Sequence, residues 1–290
     1  MDFKDVSSVS PEQSAQGKRQ HVIEVCNFVA AGTSIALFAQ AREDFHEQTA
    51  MEAVISFLQT YGRPRPMTFD RDPRWVGGSA GRDFPSPLRR LLLCLGIEPH
   101  ICPAHRPDKN AYVQRSHRAY GQEGIQRYQP ATLQEVREVT ETFLQHYNWE
   151  RPHQGRACGN IPPRIAFPTL PTLPPFPARI DPDRWLATFD QQMFLRRVGR
   201  DGCVNVDLQA YYIHPRWAGC QVLLPVSAKD AQFVVWHADQ VIKTLPIKGL
   251  LGQEMVIDDY LKYLRAEALA YERRSTTRSS GWRARQLPLW

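Results

Sequence analysis

The chain has 290 residues, a formal net charge of +6, 42% hydrophobic residues and 10% aromatic residues. This composition excludes wholesale disorder, because it supplies enough apolar surface for a core, and the length suits one large domain or two smaller ones. No apolar run approaches the ~20 residues of a membrane span, and no apolar signal peptide follows Met1, so a soluble, unsecreted protein without a membrane partner is predicted. The six cysteines form no CxxC pair, which argues against a zinc knuckle or a disulfide framework.

The first 160 residues alternate between strand-like and helix-like patterns. Three antiparallel strands are predicted first, from apolar and β-branched runs that are separated by small residues. Helices and short strands then alternate, with Pro or Thr at helix starts and Gly at helix ends. This order predicts an α/β fold in which a mixed sheet is flanked by helices. The predicted segments after the third strand are a helix at 49–60, a strand at 65–70, a helix at 85–96, a strand at 97–102 and helices at 110–122 and 132–147.

Composition changes after residue 160. Residues 161–183 carry proline too often for a helix or a central strand, which indicates an extended, semi-rigid linker. Six short strand patterns at hairpin spacing follow in 184–250 and predict a small all-β barrel-like module. Residues 251–290 are predicted as a closing helix with a basic tail. Four aromatic side chains of the module are assigned mainly to its core: Tyr211, Tyr212, Trp217 and Trp236.

Two aspartates lie where strands of the predicted sheet begin or end. Asp2 is on the first strand and Asp70 closes the fourth. Adjacent strand ends are where ligands converge in α/β sheets, and Mg²⁺ prefers carboxylate oxygens from separate elements. The alternative is that both are ordinary strand-end or turn aspartates, and spacing alone does not decide between the two interpretations.

Four segments in order resemble the catalytic core of bacterial insertion-sequence transposases. This family shares the retroviral-integrase, ribonuclease H-like fold, so the resemblance implies that fold for residues 1–160. It extends over residues 1 to about 168, and it covers the β-module only as architecture, similar to the DNA-binding barrel of integrases. The segments are "MDFKD", "TFDRDPRWVG", "DKNAYVQRSHR" and "HYNWERPHQGRACGNIPPRIAF".

The resemblance implies an Asp-Asp-Glu metal triad at Asp2, Asp70 and Gln114. Gln114 stands at the glutamate position, so Asp2 and Asp70 are the implied metal ligands and Mg²⁺ or Mn²⁺ should bind weakly. An amide lacks the charge of a carboxylate, and catalysis is therefore expected to be impaired. Two nearby acids, Asp108 and Glu123, are open as substitutes for the missing carboxylate.

The resemblance also implies DNA as partner, both element ends and target, and a homo-multimer. Family members normally carry helix-turn-helix domains ahead of the core, so an N-terminally truncated member is expected, with a cytoplasmic, nucleoid-associated location in a bacterium. For six cations, phosphate contact is one interpretation and simple solvation the other. These candidate DNA-binding residues are Arg115, His117, Arg118, Arg196, Arg197 and Arg200.

Three functional hypotheses follow. The first is an impaired strand-transfer enzyme acting in DNA integration and transposition. The second is a non-enzymatic DNA-binding or transposase-interacting protein. The third is a ribonuclease H-type nuclease, which shares the implied fold but not the appended β-module.

Overall fold

The computed structural model describes most of the chain, with side chains described as far as residue 270. None of the helices in this part of the chain is both long and apolar enough to cross a membrane. The described residues are 1–6, 23–77, 83–104 and 106–283.

The chain divides into two compact units. The core unit comprises Met1–Trp75 and Glu98–Phe176, and the C-terminal unit comprises Val76–Ile97 and Pro177–Trp290. The predicted boundary at residue 160 differs from this division in two ways. Residues 76–97 pack with the C-terminal unit, and the Pro-rich residues up to 176 pack with the core unit.

The described residues of the core unit form five strands in two sheets. The first three form an antiparallel sheet in the order β1-β2-β3, as predicted, and the next two form a parallel pair. The Met1 nitrogen donates a hydrogen bond to the Thr68 carbonyl at 2.6 Å, which joins the first strand to the fourth. The strands are β1 (Asp2–Asp5), β2 (Glu24–Val29), β3 (Ala36–Arg42), β4 (Pro66–Phe69) and β5 (Glu98–Ile101).

The helices of the core unit follow the apolar periodicity of the sequence. The long helix α1 buries Ala50, Val54 and Leu58, spaced by four residues, on one stripe. The helices are α1 (Glu47–Tyr61), α2 (Pro73–Val76), which ends at the first residue of the C-terminal unit, α4 (Ala111–Ala119), α5 (Gln126–Tyr128), α6 (Leu133–Trp149) and α7 (Pro163–Ala166).

The helix predicted to end near Gln122 continues to Tyr128. A 3₁₀ turn at Pro107–Asn110 leads into α4, and a π-helical turn at Tyr120–Ile125 follows it. Gly124 is closely packed in this turn, because a Cβ there would lie 3.1 Å from the Tyr120 ring and 3.5 Å from Val139. A glycine at this position allows close packing inside a widened turn.

Helix α6 begins with a Thr-x-x-Glu sequence, Thr132 to Glu135, of the kind that caps a helix N-terminus. The Thr132 hydroxyl accepts a hydrogen bond from the Glu135 N–H at 3.2 Å. The Glu135 carboxylate accepts from the Ala131 N–H at 2.6 Å rather than from Thr132. The reciprocal bonds therefore satisfy one donor within the helix and one just ahead of it.

Part of the Pro-rich stretch is held against the end of α1. The Arg63 N–H donates to the Pro174 carbonyl and its Nε to the Pro175 carbonyl, both at 2.8 Å. Gly62 has φ +86°, and a Cβ there would lie 2.7 Å from the Leu173 carbonyl oxygen. Only glycine combines this backbone conformation with so close an approach.

We expect Gly62→Ala to loosen this attachment. Both the positive φ and the steric overlap should lower the free energy of unfolding, together by about 2 kcal/mol or more. Gly121→Ala is the matched control, because a Cβ at Gly121 meets nothing within 4 Å. Urea denaturation measures the difference, and faster proteolysis within 167–176 should accompany it. Equal stability of the two variants would contradict the packing described here.

The C-terminal unit contains all six strands predicted for the β-module. Four form an antiparallel sheet in the order β12-β11-β10-β7, and β8 and β9 form a separate hairpin. Two-residue strands β6 (Arg179–Ile180) and β13 (Met255–Val256) also pair, and the helices are α3 (Pro87–Cys94) and α8 (Ile257–Arg283). The six strands are β7 (Met193–Arg197), β8 (Cys203–Val206), β9 (Gln209–Tyr212), β10 (Gln221–Ser227), β11 (Gln232–His237) and β12 (Gln240–Pro246).

A polar network holds residues 83–97 in this unit. The Asp83 carboxylate accepts the Asp207 N–H at 2.6 Å and pairs with Arg196, while the Asp207 carboxylate accepts the N–H groups of Asp83 and Phe84. Arg90 of α3 is buried and pairs with Glu267 of α8 at 3.2 Å. These partners are more than a hundred residues away in the sequence, so local patterns do not reveal them.

Alternate residues of the four-stranded sheet face opposite ways, as in any β-sheet. The inner face is fully buried, for example at Leu224, Phe233 and Val235. Of the four aromatic residues assigned to the module core, Tyr211 is buried, whereas Tyr212 is 51% exposed. The prediction for Tyr212 was therefore wrong, because it alternates with Tyr211 along β9 and faces outward.

Candidate active site

Asp2 lies in β1 with its carboxylate held by two donors. Its Oδ1 accepts the Phe3 N–H at 2.9 Å, and its Oδ2 accepts the Gln114 Nε2–H at 2.5 Å. The residue is only 6% exposed. A residue at the start of the chain and one on helix α4 are thus in direct contact.

Asp70 follows β4 and begins a tight turn. Its Oδ1 accepts the Asp72 N–H at 3.0 Å, and Asp72 in turn accepts from the backbone and guanidinium of Arg74. Arg74 also pairs with Glu24 at 2.6 Å, so the charge of Asp72 is neutralised within the turn. Asp70 has no such ion pair among the contacts described and faces the cleft.

Trp75 closes this turn over the core. Its side chain is fully buried and stacks on the Phe3 ring with centroids 4.4 Å apart. A base-stacking role would need an exposed ring, so the aromatic position of the turn is a packing position here.

Gln114 reaches the site because the start of α4 is fixed against β1. The Asn110 side chain, which is buried, donates from Nδ2 to the Met1 carbonyl at 3.1 Å. One helical turn later Gln114 points at Asp2. No role was predicted for Asn110, although it lies in the segment "DKNAYVQRSHR" that carries the resemblance.

A cleft of about 430 Å³ opens in front of these residues. Asp70 and Gln114 line it, together with Arg71, whose Nε donates to the Cys102 carbonyl, and Arg106, which pairs with the exposed Asp108. No role was predicted for either arginine, although Arg71 directly follows Asp70 in the segment "TFDRDPRWVG". The cleft therefore offers both carboxylate and guanidinium groups.

Burial raises the pKa of Asp2 from 3.8 to about 6, and the negative charge of Asp70 adds to the rise. Desolvation disfavours the charged carboxylate, and a nearby like charge does the same. The Asp2 side chain therefore holds its proton more tightly than an exposed aspartate does.

The donor set fits at most one divalent cation, held weakly. Among the described residues, no three His, Cys, Asp or Glu side chains converge as a metal-binding group. Asp2 and Asp70 supply carboxylates, but the Gln114 nitrogen donates to the Asp2 oxygen that a cation would otherwise use. Two carboxylates and one amide oxygen are a sufficient set for one weakly held Mg²⁺ or Mn²⁺, not for a pair.

Neither acid considered as a substitute for the missing carboxylate is at the site. Asp108 is exposed and pairs with Arg106 at 2.8 Å. Glu123 pairs with Arg151, also at 2.8 Å, and lies 3.4 Å from His146 Nε2. Both carboxylates are thus engaged elsewhere.

The Tyr-Asn-x-x-Arg-Pro-His segment has structural contacts. The Asn148 amide is paired with both backbone groups of Ala36, accepting from its N–H at 3.0 Å and donating to its carbonyl at 2.9 Å. Arg151 ties the segment to Glu123, and His153 is 2% exposed with its Nδ1 accepting the Gly155 N–H. The Asn148 contacts fix the end of α6 to the first residue of β3.

The candidate DNA contacts of the core unit divide into two groups. Arg115 and Arg118 are exposed on α4 and available to solvent. His117 faces inward and is 6% exposed, and burial lowers its pKa to about 4, with Lys4 nearby adding repulsion. The prediction of phosphate contact by His117 is corrected, because a buried neutral ring offers no charge to a phosphate.

The candidates of the C-terminal unit also differ from one another. Arg196 pairs with Asp83 and donates from Nε to the Asn205 carbonyl at 2.9 Å, so its guanidinium is already committed. Arg197 is exposed and donates from Nε to the Gly219 carbonyl at 2.9 Å. Arg200 is exposed in the loop before β8. Arg196 is thus corrected to a structural role, and the other two stay predictions.

Residues 95–163, which carry Gln114, Asn148 and Arg151, match the integrase core domain family. The mixed α/β structure is similar to the catalytic core domain of BIV integrase, with 17% identity, a TM-score of 0.39, and 57% of this chain and 91% of that chain covered. It is also similar to a chain of the simian T-cell lymphotropic virus intasome in complex with PP2A regulatory subunit B56 gamma. That match has 10% identity and a TM-score of 0.41, and covers 85% of this chain and 75% of that chain.

Proposed function

We propose that the core unit is an integrase-type, transposase-derived core that acts on DNA in integration and transposition, and that Gln114 impairs its chemistry. One observation carries this proposal: the side chains of Asp2 and Gln114, 112 positions apart, meet at 2.5 Å beside the cleft that Asp70 lines. Asp2 and Asp70 would hold a Mg²⁺ or Mn²⁺ ion. When bound, such an ion supplies charge stabilisation at a phosphate and a more acidic water.

The residues of the chain itself contribute orientation and charge. Asn110 fixes α4, Gln114 immobilises the Asp2 carboxylate, and Arg71 and Arg106 lie within reach of an anionic substrate in the cleft. The exposed Arg115 and Arg118 extend the positive charge along α4 toward a DNA backbone. Because the third carboxylate is absent, DNA binding should persist while turnover is lost.

The test is a strand-transfer and nicking assay on double-stranded DNA with Mn²⁺, comparing the chain with Gln114→Glu. We expect no detectable turnover for the chain and partial recovery for the variant, since metal catalysis depends on each carboxylate. DNA affinity should be similar for both and should fall steeply with salt. Equal activity of the two proteins would overturn the triad assignment.

The second candidate function is a DNA-binding or transposase-interacting protein without chemistry. The hydrogen bond between Gln114 and Asp2 favours it, because a donated N–H stabilises the carboxylate pair without a cation. If the Gln114→Glu variant binds metal but shows no strand transfer or nicking, this second function is supported. A bacterial insertion-sequence origin, a multimeric state and a nucleoid location are part of the first proposal, the integrase-type core.

A further inference from the structure

The outer face of the four-stranded sheet carries an apolar row that crosses every strand. Leu195 lies opposite Leu223, Leu223 opposite Trp236, and Trp236 opposite Val241. Directly opposed residues on one face are about 5 Å apart, so these four side chains form a continuous strip. Leu195 is 57% exposed and Val241 is 50% exposed, one at each edge.

The neighbouring row widens the strip. Met193, 61% exposed, lies opposite Pro225 on β10. The inner face of the same sheet is buried, and the two rows add an apolar strip to its outer face. Antiparallel sheets that face water usually carry polar residues on the outer side, and an exposed apolar strip is typical of a surface with a partner.

The charges around the strip argue against a polyanion as that partner. Arg196 points to the inner side, where it pairs with Asp83. Lys243 donates to the carbonyls of Tyr212 and Ile213 at 2.8 and 3.2 Å. The outer face has a third row, in which Arg197 lies opposite Gln221 at one end of the sheet. Among the described residues of these three rows, Arg197 is the one cationic side chain.

The ends of the outer rows are complementary in charge. The register His237↔Gln240 places the β11–β12 turn, with Asp239, at the same end of the sheet as Arg197 but at the opposite edge. When two such faces pack about a twofold axis parallel to the strands, β7 of one copy lies over β12 of the other. Arg197 then faces the partner's Asp239, and the reciprocal pair forms on the other side.

We propose that this outer face, defined by Met193, Leu195, Leu223, Pro225, Trp236 and Val241, packs against the same face of a second copy of the chain. Leu195 of one copy contacts Val241 of the other, and Leu223 contacts Trp236, in the manner of stacked sheets about 10 Å apart. The face is small for a stable dimer, so association is expected on the order of micromolar concentration. This surface is independent of the chemistry proposed for the cleft.

The test is sedimentation of the full chain over roughly 1 to 100 µM, without DNA or metal. We expect concentration-dependent dimers, and Leu195→Asp should raise the dissociation constant about tenfold or more, because the change occurs twice in a twofold interface. Ile165→Asp, at a 56% exposed residue of the core unit, is the matched control and should leave association unchanged.

A charge exchange tests the arrangement itself. Arg197→Glu and Asp239→Arg should each weaken association, and the double variant should restore it, with circular dichroism and thermal melting unchanged throughout. A chain that stays monomeric over this range, or a Leu195→Asp variant that associates normally, would overturn the proposal. A double variant that does not regain self-association would also overturn the proposal. So would a Leu195→Asp variant that loses DNA binding but still self-associates.

Discussion

Gln114→Glu should convert a weak cation site into a much tighter one. The Gln114 Nε2–H now donates to the Asp2 carboxylate at 2.5 Å. The substitution removes this donor and adds a third negative charge beside Asp70. Without metal, three converging carboxylates should destabilise the fold by about 2 kcal/mol, since like charges are brought together and one hydrogen bond is lost. With Mn²⁺, the dissociation constant should fall at least about tenfold relative to the unchanged chain.

Calorimetric titration measures the affinity, and melting with Mn²⁺ or with EDTA measures the linked stability. Gln122→Glu is the matched control, because Gln122 is exposed in the adjoining π-helical turn and adds the same charge away from the site. The site assignment fails if both variants respond alike or if neither gains affinity.

Asp2→Asn should stabilise the chain at neutral pH and lose this effect in acid. The folded state raises the pKa of Asp2 from 3.8 to about 6, so it binds the proton more tightly than the unfolded chain does. The resulting penalty is absent below about pH 4 and fully present above about pH 6, and it corresponds to roughly 3 kcal/mol at most. Asparagine removes the charge but accepts fewer hydrogen bonds, so a gain of about 1 to 2 kcal/mol is expected at pH 7.5.

Urea denaturation at pH 4 and pH 7.5 measures this difference. Asp5→Asn, at an exposed position of the same strand, is the control and should change stability by less than about 0.5 kcal/mol at either pH. A pH-independent effect of Asp2→Asn would mean that the Asp2 carboxylate is not held in the buried, like-charged environment described above. A stabilised variant would identify Asp2 as a residue kept for function rather than for folding.

Local patterns predicted several of the helices and strands. Period-two and period-four apolar spacing gave β2, β3, α1 and α6 within a few residues. The contact between Asp2 and Gln114 was implied by the resemblance to transposase cores, and the periodicity of the two segments does not predict it.

What the sequence did not predict depends on tertiary contacts. His117 points inward because of the face of α4 that meets β2. Arg196 is unavailable to a phosphate because it forms an ion pair with Asp83, which lies 113 positions away. A charged or aromatic residue in a candidate motif therefore said little about its exposure. The outward position of Trp236 is the same kind of result, because alternation gives two faces but not which one is covered.

The packing of α3 with the C-terminal unit has a practical consequence for dissecting this protein. The chain passes from one unit to the other three times, near residues 76, 97 and 177. A fragment ending at residue 160 would keep Leu88, Leu91 and Leu92, all fully buried in the whole chain, without the helix α8 that α3 packs against. Such a fragment should precipitate or bind chaperones. To express the core unit alone, residues 76–97 should be replaced with a short polar loop, and to express the C-terminal unit alone, they should be grafted onto it.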